Sequence, residues 1–511
     1  MQRKAFKAAV VVALASTLVG GASVAAWSEP SGQNQNEQGE RGGEIRNVIY
    51  LLGDGMGRTH VTAGRERFYG ADGRLNMERM PFVGQVATHA VEKGSAKPAL
   101  VTDSASSATA WSSGVKTYNA ALGVDSYEKK VVTLMEQAKA AGFATGNVST
   151  AEITDATPAA EFSHVLLRGC QGPSYSDAAC LPKNADGSYE AKPADSTLIT
   201  PVAEQIARNG TADVVLGGGL ARFEPDDQKA LEAQGYQVLG SFGDPALPTQ
   251  SAASQKVATK ADLDAARGRK VVGLFNRGNL TVEAAKSALP AGAPEKAEPT
   301  LSDMTTRAID LLAKKNRRGF FLQIEGAQID KRSHANDAAQ TLGEIKAFDD
   351  AVAKAVDFAK RDGHTLVIVT ADHECAGFNI IEKGTFTNAE AAAPPANNDA
   401  GNPANNSSPA RSAAANVKDP SRSAGIVNGA GSKDPKNFAP ATFRTPDDPA
   451  GVADGSPDAS LWLTYLSGNH TGADVPIFAY GPGGQRFAAS QDNTELYGKM
   501  YRALFNRSPQ H

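Results

Sequence analysis

Short apolar runs recur along the chain, and most of them alternate with segments whose apolar positions repeat every three or four residues. The runs have the continuous apolar character of buried parallel strands, and they occupy residues 47–52, 144–148, 211–216, 319–324 and 365–370. Helical periodicity lies between the runs, at residues 131–141, 225–235, 301–315 and 336–361. This alternation predicts an α/β fold with a mostly parallel sheet.

The first 26 residues have a different pattern, which predicts a secretory signal peptide over residues 1–26. Three basic residues precede an apolar run at residues 8–19, and small residues follow at 22–26. A charged head, a short apolar core and a small-residue cleavage region are the parts of such a signal. The run is too short for a comfortable bilayer span. We therefore expect a protein secreted across the inner membrane, located in the periplasm or outside the cell.

Charge then limits the classes of partner. Removal of the signal peptide takes away three basic residues and no acidic ones, so the formal net charge falls from −4 to −7. An acidic protein is poorly suited to bind the phosphate backbone, and we expect no specific nucleic-acid partner. No later segment is long and apolar enough to cross a bilayer, so we expect no membrane partner.

Composition predicts one large domain with a flexible lead-in and one long insertion. Residues 27–45 are polar and rich in Gln, Asn and Gly, which predicts the lead-in, and the α/β pattern occupies residues 46–508. Within this domain, residues 388–455 are crowded with Ala, Pro, Asn, Asp, Gly and Ser, a composition typical of a disordered or looped surface insertion. Residues 238–299 show no clear pattern of either kind.

Two of the three cysteines lie close together in the sequence. Cys170 and Cys180 belong to one loop that is rich in Gly, Pro, Ser and Asp. In an oxidising compartment we expect a disulfide bond between them, and two free thiols are the alternative. Cys375 is then left without a partner.

The first candidate for chemistry is a serine at the start of a predicted helix. Residues 101–111 read Val-Thr-Asp-Ser-Ala-Ser-Ser-Ala-Thr-Ala-Trp, a loop that becomes a helix capped by Asp103 or Ser104. A hydroxyl at that position faces free N–H groups and the positive end of the helix dipole, which suits a serine that loses its proton and holds an anion. A capped helix packed against a sheet would have the same pattern, so this stretch alone leaves both interpretations open.

Three carboxylates follow buried strands closely. Asp54, Glu325 and Asp372 each lie within two residues of the end of an apolar run. In an open parallel sheet the ligand crevice lies outside the carboxyl ends of the strands. Carboxylates gathered there repel one another unless cations lie between them, so the pattern indicates bound metal ions. An Asp-Gly turn is the alternative explanation for Asp54.

Histidines near these carboxylates strengthen the metal hypothesis. Asp330 and His334 have the i, i+4 spacing that puts both on one side of a helix. His373 follows Asp372 directly, and His470 lies in a loop close to a glycine. Mixed Asp and His ligands fit Zn²⁺, whereas Asp, Glu and Thr oxygens fit Mg²⁺.

Taken together, five stretches resemble bacterial alkaline phosphatases of the enteric, periplasmic type. The resemblance extends over residues 47–504 and is densest at residues 53–57, 102–116, 146–158, 325–334 and 370–373. It implies a three-layer sandwich with a large, mostly parallel central sheet flanked by helices. It also implies a homodimer that hydrolyses varied small phosphate monoesters, through a phosphoserine intermediate, with two Zn²⁺ and one Mg²⁺ per chain.

The resemblance carries over to individual residues of this sequence. It implies that Ser104 is the nucleophile and that Arg168, held in place by Asp103, donates hydrogen bonds to two phosphoryl oxygens. It implies a first zinc held by Asp330, His334 and His470. It implies a second zinc held by Asp54, Asp372 and His373, and a magnesium ion held by Asp54, Thr157 and Glu325. Asp155 and Lys331 would act through waters to the magnesium and the phosphate, and their presence favours the enteric pattern over relatives that have histidine there.

The sequence also departs from that pattern. Cys375 stands where the enteric pattern has a histidine that supports a zinc-ligand carboxylate, so we expect this contact and the zinc affinity to be altered. Three cysteines cannot supply the second disulfide found in many members of the family. Two other functions remain as alternatives: a phosphodiesterase or sulfatase on the same scaffold, and a periplasmic zinc- or phosphate-binding protein without turnover.

Overall fold

The computed structural model of the 511-residue chain describes residues 44–246, 253–314, 318–383, 441–456, 458–466 and 468–509. The predicted signal peptide and nearly all of the predicted lead-in lie outside these residues. Most of the predicted insertion, residues 388–440, also lies outside them.

A ten-stranded mixed sheet forms the centre of the fold, and its strands are β1 (Asn47–Gly53), β2 (Phe82–Ala87), β5 (Ala144–Glu152), β6 (Val214–Gly218), β7 (Tyr236–Leu239), β8 (Lys270–Leu274), β9 (Phe320–Gly326), β10 (Thr365–Thr370), β16 (Val475–Tyr480) and β17 (Ser490–Asp492). Their spatial order is β17-β2-β16-β10-β1-β9-β5-β6-β8-β7. All pairs are parallel except β10 with β16 and β16 with β2. The expected mostly parallel sheet is therefore confirmed.

Shorter strands form three small sheets outside the main one. The first pairs β3 (Ala90–Val91) with β4 (Pro98–Ala99), and the second pairs β11 (Glu374–Cys375) with β15 (His470–Thr471). The third contains β12 (Asn379–Ile381), β14 (Leu461–Thr464) and β13 (Ala441–Phe443), with β14 in the middle. The α-helices in the described residues are α1 (Arg58–Tyr69), α2 (Ser104–Ser113), α3 (Leu134–Ala140), α4 (Ala156–Ala159), α5 (Asp177–Cys180), α6 (Val202–Asn209), α7 (Pro225–Ala233), α8 (Lys260–Ala265), α9 (Glu283–Ala288), α10 (Leu301–Ala313), α11 (Gln328–His334), α12 (Ala338–Asp362) and α13 (Asn493–Phe505). None of these helices is long and apolar enough to span a bilayer.

Strand β1 is buried along its whole length, because helices cover both faces of the sheet. It pairs with β10 on one side and with β9 on the other, so that Leu51 lies between Val369 and Ile324. On one face, the ring of Tyr50 lies against Trp111 of α2, with ring centroids 4.6 Å apart. Helices α2, α3 and α13 pack together as one layer, and α1, α10 and α12 pack together as another. The three-layer sandwich is thus confirmed.

Local chemistry defines where the main helices begin. Thr300 caps α10, because its hydroxyl accepts a hydrogen bond from the backbone N–H of Asp303 and the Asp303 carboxylate accepts one from the N–H of Thr300. The same reciprocal arrangement joins Asp492 and Glu495 at the start of α13. Such capping boxes satisfy N–H groups that the helix itself leaves free.

The structure corrects the C-terminal end of the predicted insertion. Residues 441–443 form β13, whose side chains are all buried, although the composition assigned this segment to a disordered or looped region. The strand pairs with β14, so that Phe443 lies opposite Leu461. Long-range pairing orders this segment, and the local composition carries no sign of that pairing.

The span without a clear pattern also contains regular structure. Strand β8 and helix α8 lie there, and β8 pairs with β6 and β7 toward one edge of the main sheet. The strand is only five residues long and follows a polar segment, which is why periodicity did not reveal it.

The predicted disulfide bond between Cys170 and Cys180 is present, with a Cα–Cα distance of 4.5 Å. It closes a surface loop that begins two residues after Arg168. A closed loop of this size restricts the unfolded chain.

We expect the double variant Cys170→Ser/Cys180→Ser to lose about 2–4 kcal/mol of unfolding free energy, measured by urea denaturation. The matched control is the effect of a reductant: it should destabilise the parent protein by a similar amount and leave the double variant unchanged. Equal stability of parent and variant under oxidising conditions would contradict this prediction.

Candidate active site

Three neighbouring central strands deliver carboxylates to the same edge of the sheet. Asp54 directly follows β1, Glu325 is the last residue but one of β9, and Asp372 lies two residues after β10. Strand β1 lies between β9 and β10 in the sheet. All three side chains are buried. Burial raises the pKa of Asp54 well above its usual range, and the charges of Asp372 and Asp330 add to that rise. Burial also raises the pKa of Glu325 to about 7. The ionised forms of Asp54 and Glu325 are therefore disfavoured unless cations lie beside them.

One group of possible metal ligands consists of Asp54, Asp372 and His373. The Nε2 atom of His373 lies 3.1 Å from Oδ2 of Asp372 and 3.6 Å from Oδ1 of Asp54. The other oxygen of Asp372 accepts hydrogen bonds from the backbone N–H groups of Gly55 and His373, at 3.0 and 2.9 Å. These backbone bonds orient the carboxylate, and they leave Oδ2 directed toward the other two ligands.

A second group consists of Asp330, His334, His470 and Cys375. Helix α11 carries Asp330 and His334 one turn apart, as their spacing predicted, and the Nε2 atom of His334 lies 3.1 Å from Oδ2 of Asp330. The Nε2 atom of His470 lies 3.6 Å from the other oxygen of Asp330 and 3.1 Å from the Nε2 atom of His334. Two imidazoles and a carboxylate therefore point at one small volume.

Hydrogen bonds to carbonyl groups define which nitrogen each imidazole presents. Nδ1 of His334 donates to the carbonyl of Gly468 at 2.6 Å, and Nδ1 of His470 donates to the carbonyl of Thr102 at 3.0 Å. A carbonyl oxygen only accepts, so Nδ1 carries the proton in both rings and Nε2 is the atom left for a cation. Burial lowers the pKa of His334, but the charge of Asp330 outweighs burial and raises it to about 9. The same negative field attracts a divalent cation.

The position of His470 depends on a short β ladder. Strand β15 pairs with β11 directly after His373, so that His470 lies opposite Cys375 and Thr471 lies opposite Glu374. The thiol of Cys375 is fully buried, and its Sγ lies 3.8 Å from the backbone carbonyl of Asp330. Its hydrogen bond thus goes to the main chain of a candidate ligand, and burial raises the pKa of the thiol.

Ser104 lies at the first position of α2, beside His373 of the first group of ligands. Asp103 is the N-cap, and its carboxylate accepts the backbone N–H of Ser106 at 3.0 Å. The Ser104 hydroxyl is buried and lies 3.2 Å from Nε2 of His373. Three residues further along α2, the Ser107 hydroxyl donates to the backbone carbonyl of Asp372 at 2.9 Å. This hydrogen bond joins α2 to the segment that carries the candidate ligands Asp372 and His373.

Arg168 and Lys331 bring positive charge to the same place. The guanidinium of Arg168 contacts Asp103 at 3.3 Å and Asp155 at 2.8 Å, and the other oxygen of Asp155 contacts Lys331 at 2.8 Å. Burial alone would raise the pKa of Asp155, but Lys331 and Arg168 hold it far below its usual range. Asp155 therefore remains a carboxylate and orients both cations. Sequence reasoning gave Asp155 only water-mediated contacts and missed this direct bridge.

Thr157 and Glu325, with Asp54, are the candidate ligands of a third metal ion. Gln323 of β9 donates to the carbonyl of Thr157 at 3.2 Å, which ties α4 to the strand that carries Glu325. Ser149 of β5 donates a hydrogen bond to the Glu325 carboxylate. The Thr157 hydroxyl is buried and has no hydrogen-bond partner among the described residues.

The donor atoms fit divalent metal ions. Oδ1 of Asp54 and Oδ1 of Asp330 are buried without a hydrogen-bond partner in the part of the chain that the structure describes, as is Thr157 Oγ1. A buried oxygen without a partner costs about 1–3 kcal/mol, and a metal ligand bond removes that cost. Carboxylate and imidazole donors suit zinc, and carboxylate and hydroxyl oxygens suit magnesium.

Comparison with known proteins gives one consistent result. A model of the alkaline phosphatase family matches residues 45–505. The chain is 43% identical over 358 residues to an alkaline phosphatase of Escherichia fergusonii, covering 64% of this chain and 70% of that protein. It is 31% identical over 530 residues to alkaline phosphatase 4 of Bacillus subtilis, covering 99% of this chain and 97% of that protein. It is similar to the structure of the alkaline phosphatase from the Antarctic bacterium TAB5, with a TM-score of 0.58, 26% identity, and coverage of 91% of this chain and 99% of that chain.

The turn after β1 generates a prediction about metal binding. Gly55 has a φ of +70°, and a Cβ atom there would lie 2.8 Å from both the Asp330 carboxylate and Cys375. We expect Gly55→Ala to displace Asp330 and weaken metal binding about tenfold or more, the size of effect that follows from disturbing a ligand's support. The measurement is the zinc dissociation constant, by competition with a chromogenic chelator.

Gly142→Ala is the matched control, because Gly142 has a φ of +84° but a Cβ atom there would have open space around it. It should cost about 1–2 kcal/mol of stability through backbone strain and leave zinc affinity unchanged. Equal zinc affinities in the two variants would mean that Gly55 does not support the ligand.

Proposed function

Since the chain belongs to the alkaline phosphatase family, and is thus a hydrolase of phosphate monoesters that binds divalent metal ions, we propose a covalent mechanism with Ser104 as the nucleophile. The observation that carries the proposal is the 3.2 Å distance between the Ser104 hydroxyl and Nε2 of His373, at the N-terminus of α2. A hydroxyl among candidate metal ligands and free helix N–H groups is suited to lose its proton.

The proposed metal content is two Zn²⁺ and one Mg²⁺ per chain. Asp330, His334 and His470 would hold one zinc, and Asp54, Asp372 and His373 would hold the other. Asp54, Thr157 and Glu325 would hold the magnesium. When bound, the zinc ions would lower the pKa of the Ser104 hydroxyl and stabilise negative charge on the departing oxygen.

The proposed reaction has two displacements at phosphorus. The Ser104 oxygen attacks phosphorus, the bond from phosphorus to the alcohol oxygen breaks, and its electron pair leaves with the alcohol, which takes up a proton. Water then attacks the phosphoserine, and cleavage of the bond between phosphorus and the Ser104 oxygen releases inorganic phosphate and restores the hydroxyl. Positioning and charge supply most of the catalysis in such transfers.

Arg168 has the geometry for the proposed role in holding the phosphoryl group. Its planar guanidinium can fork onto two phosphoryl oxygens, and its ion pairs with Asp103 and Asp155 fix its orientation. Lys331 and Asp155 would act through waters to the phosphate and the magnesium. A monoester offers one more free oxygen to this clamp than a diester does. Because these residues grip only the phosphoryl group, we propose that many different alcohols serve as leaving groups.

The cellular setting is proposed from the first 26 residues and from family resemblance. The pattern of a charged head, an apolar core and small residues supports secretion across the inner membrane. We propose the periplasm as the location, with the extracellular medium as the second choice. The disulfide bond between Cys170 and Cys180 is consistent with an oxidising compartment. We further propose a homodimer, on resemblance to the enteric enzymes.

The role of Ser104 has a direct test. We expect Ser104→Ala to reduce phosphate release from a small aryl phosphate at least about a thousandfold, because loss of a covalent nucleophile removes the main reaction path. Metal content, measured by elemental mass spectrometry, should stay at the parent value. Ser113→Ala is the control, since Ser113 lies at the other end of the same helix and its loss should leave turnover near that of the parent.

Undiminished turnover in Ser104→Ala would eliminate Ser104 as the nucleophile. If the parent protein bound zinc and phosphate but released no phosphate from any monoester, the binding-protein alternative would replace the enzyme.

The proposed metal content has its own test. We expect the purified protein to contain close to two zinc and one magnesium per chain, and removal by a chelator should abolish turnover because the carboxylates and imidazoles alone do not activate the serine. Addition of zinc and magnesium should restore it. A fully active protein without zinc, or a single tightly bound metal per chain, would overturn this assignment.

A further inference from the structure

A buried imidazole lies behind the candidate metal ligands without belonging to either group. His60 is in α1, and its side chain is completely buried. Its ring lies against Phe378, with centroids 4.6 Å apart. Burial lowers the pKa of His60 to about 3, so the ring is neutral, with one nitrogen that donates and one that accepts.

Hydrogen bonding defines the tautomer of this ring. The Ser333 hydroxyl donates its only proton to the carbonyl of Ile329, at 2.8 Å. It therefore accepts in its second contact, which is with Nε2 of His60 at 3.0 Å. Nε2 is consequently the protonated nitrogen of His60, and the imidazole donates to Ser333. Ser333 lies between Asp330 and His334 on α11.

The other side of the His60 ring faces Glu374 of β11, the strand that pairs with the strand of His470. Nδ1 of His60 lies 3.9 Å from Oε1 of Glu374, and it has no hydrogen-bond partner among the described residues. Glu374 is itself held by the backbone N–H groups of Gly377 and Phe378 and by the hydroxyl of Thr471. Thr471 is the residue after His470, and Glu374 is the residue after His373.

We propose that His60 is a positioning residue for the metal group formed by Asp330, His334 and His470. This inference rests on the proposed role of those three residues as zinc ligands. Helix α11 is only seven residues long, so its own length does little to define its rotation. The hydrogen bond from His60 to Ser333 limits that rotation, and so it defines the directions of Asp330 and His334 on the same helix.

Packing alone is the competing explanation, and it makes a different prediction. If His60 only fills space against Phe378, a phenylalanine of similar size should replace it without consequence for the metal. If the donated hydrogen bond matters, His60→Phe should lose metal, whereas His60→Gln should retain it, because an amide N–H can donate to Ser333. Ser333→Ala removes the acceptor and should resemble His60→Phe.

The test is the dissociation constant of each zinc ion bound per chain, measured by competition with a chromogenic chelator. The variant Asp330→Asn first identifies which zinc equivalent, that is, which of the bound zinc ions, belongs to this metal group, because that zinc ion should no longer bind. For the same equivalent we expect affinity to fall about 10–100-fold in His60→Phe and in Ser333→Ala, the range found when the support of a ligand is removed. His60→Gln should stay within about threefold of the parent, and the double variant His60→Phe/Ser333→Ala should lose no more than either single variant.

A second readout separates geometry from overall stability. Cobalt replaces zinc in such sites and its visible spectrum reports coordination geometry, so we expect a changed spectrum in His60→Phe and the parent spectrum in His60→Gln. His164→Ala is the matched control, because His164 is also a buried histidine but contacts Glu136 and Gly123. It should leave the zinc affinity of this group unchanged.

Parent-like zinc affinity and cobalt spectrum in His60→Phe would overturn the positioning role, even if turnover fell. Loss of zinc in His60→Gln as large as that in His60→Phe would overturn the hydrogen-bond argument. If Asp330→Asn kept every zinc equivalent, the ligand assignment itself would fail, and with it the inference for His60.

Discussion

The repulsion between buried carboxylates at one edge of the sheet is the constraint on which the rest of the site depends. Asp54, Glu325 and Asp372 arrive from adjacent strands and are all withdrawn from water. Two like charges 4 Å apart repel by about 4 kcal/mol at an effective dielectric constant of 20. A marginally stable domain does not keep such an arrangement unless cations offset it. Imidazoles that direct Nε2 toward the carboxylates and oxygens without hydrogen-bond partners are the complementary signs of the same constraint.

The same negative edge organises the groups that would meet a phosphoryl anion. Asp103 caps α2, the helix of the proposed nucleophile Ser104, and contacts Arg168, and Asp155 joins Arg168 to Lys331. Each carboxylate in this set is balanced by a neighbouring cation or by backbone N–H groups. The phosphoryl group would therefore enter a site whose cations are already oriented, so little reorganisation accompanies binding.

Much of the framework could be predicted from the sequence because it is local. The apolar runs that form β1, β9 and β10 read as buried strands, and the acidic residues at their ends follow from strand direction alone. The i, i+4 spacing of Asp330 and His334 predicted one helical turn, and α11 supplies it. By contrast, Ala441–Phe443 was assigned to a low-complexity insertion, because its order comes from pairing with β14, more than ten residues away.

The sequence by itself determined the strand–helix alternation, the capped serine of α2, the acidic strand ends and the cysteine pair, since each depends on neighbours within a few positions. Only the tertiary structure decided which distant side chains meet. His470 reaches Asp330 because β15 pairs with β11, Asp155 bridges Arg168 and Lys331, and His60 contacts Ser333 across 273 positions. These contacts arise from packing between elements, and no short-range pattern in the chain encodes them.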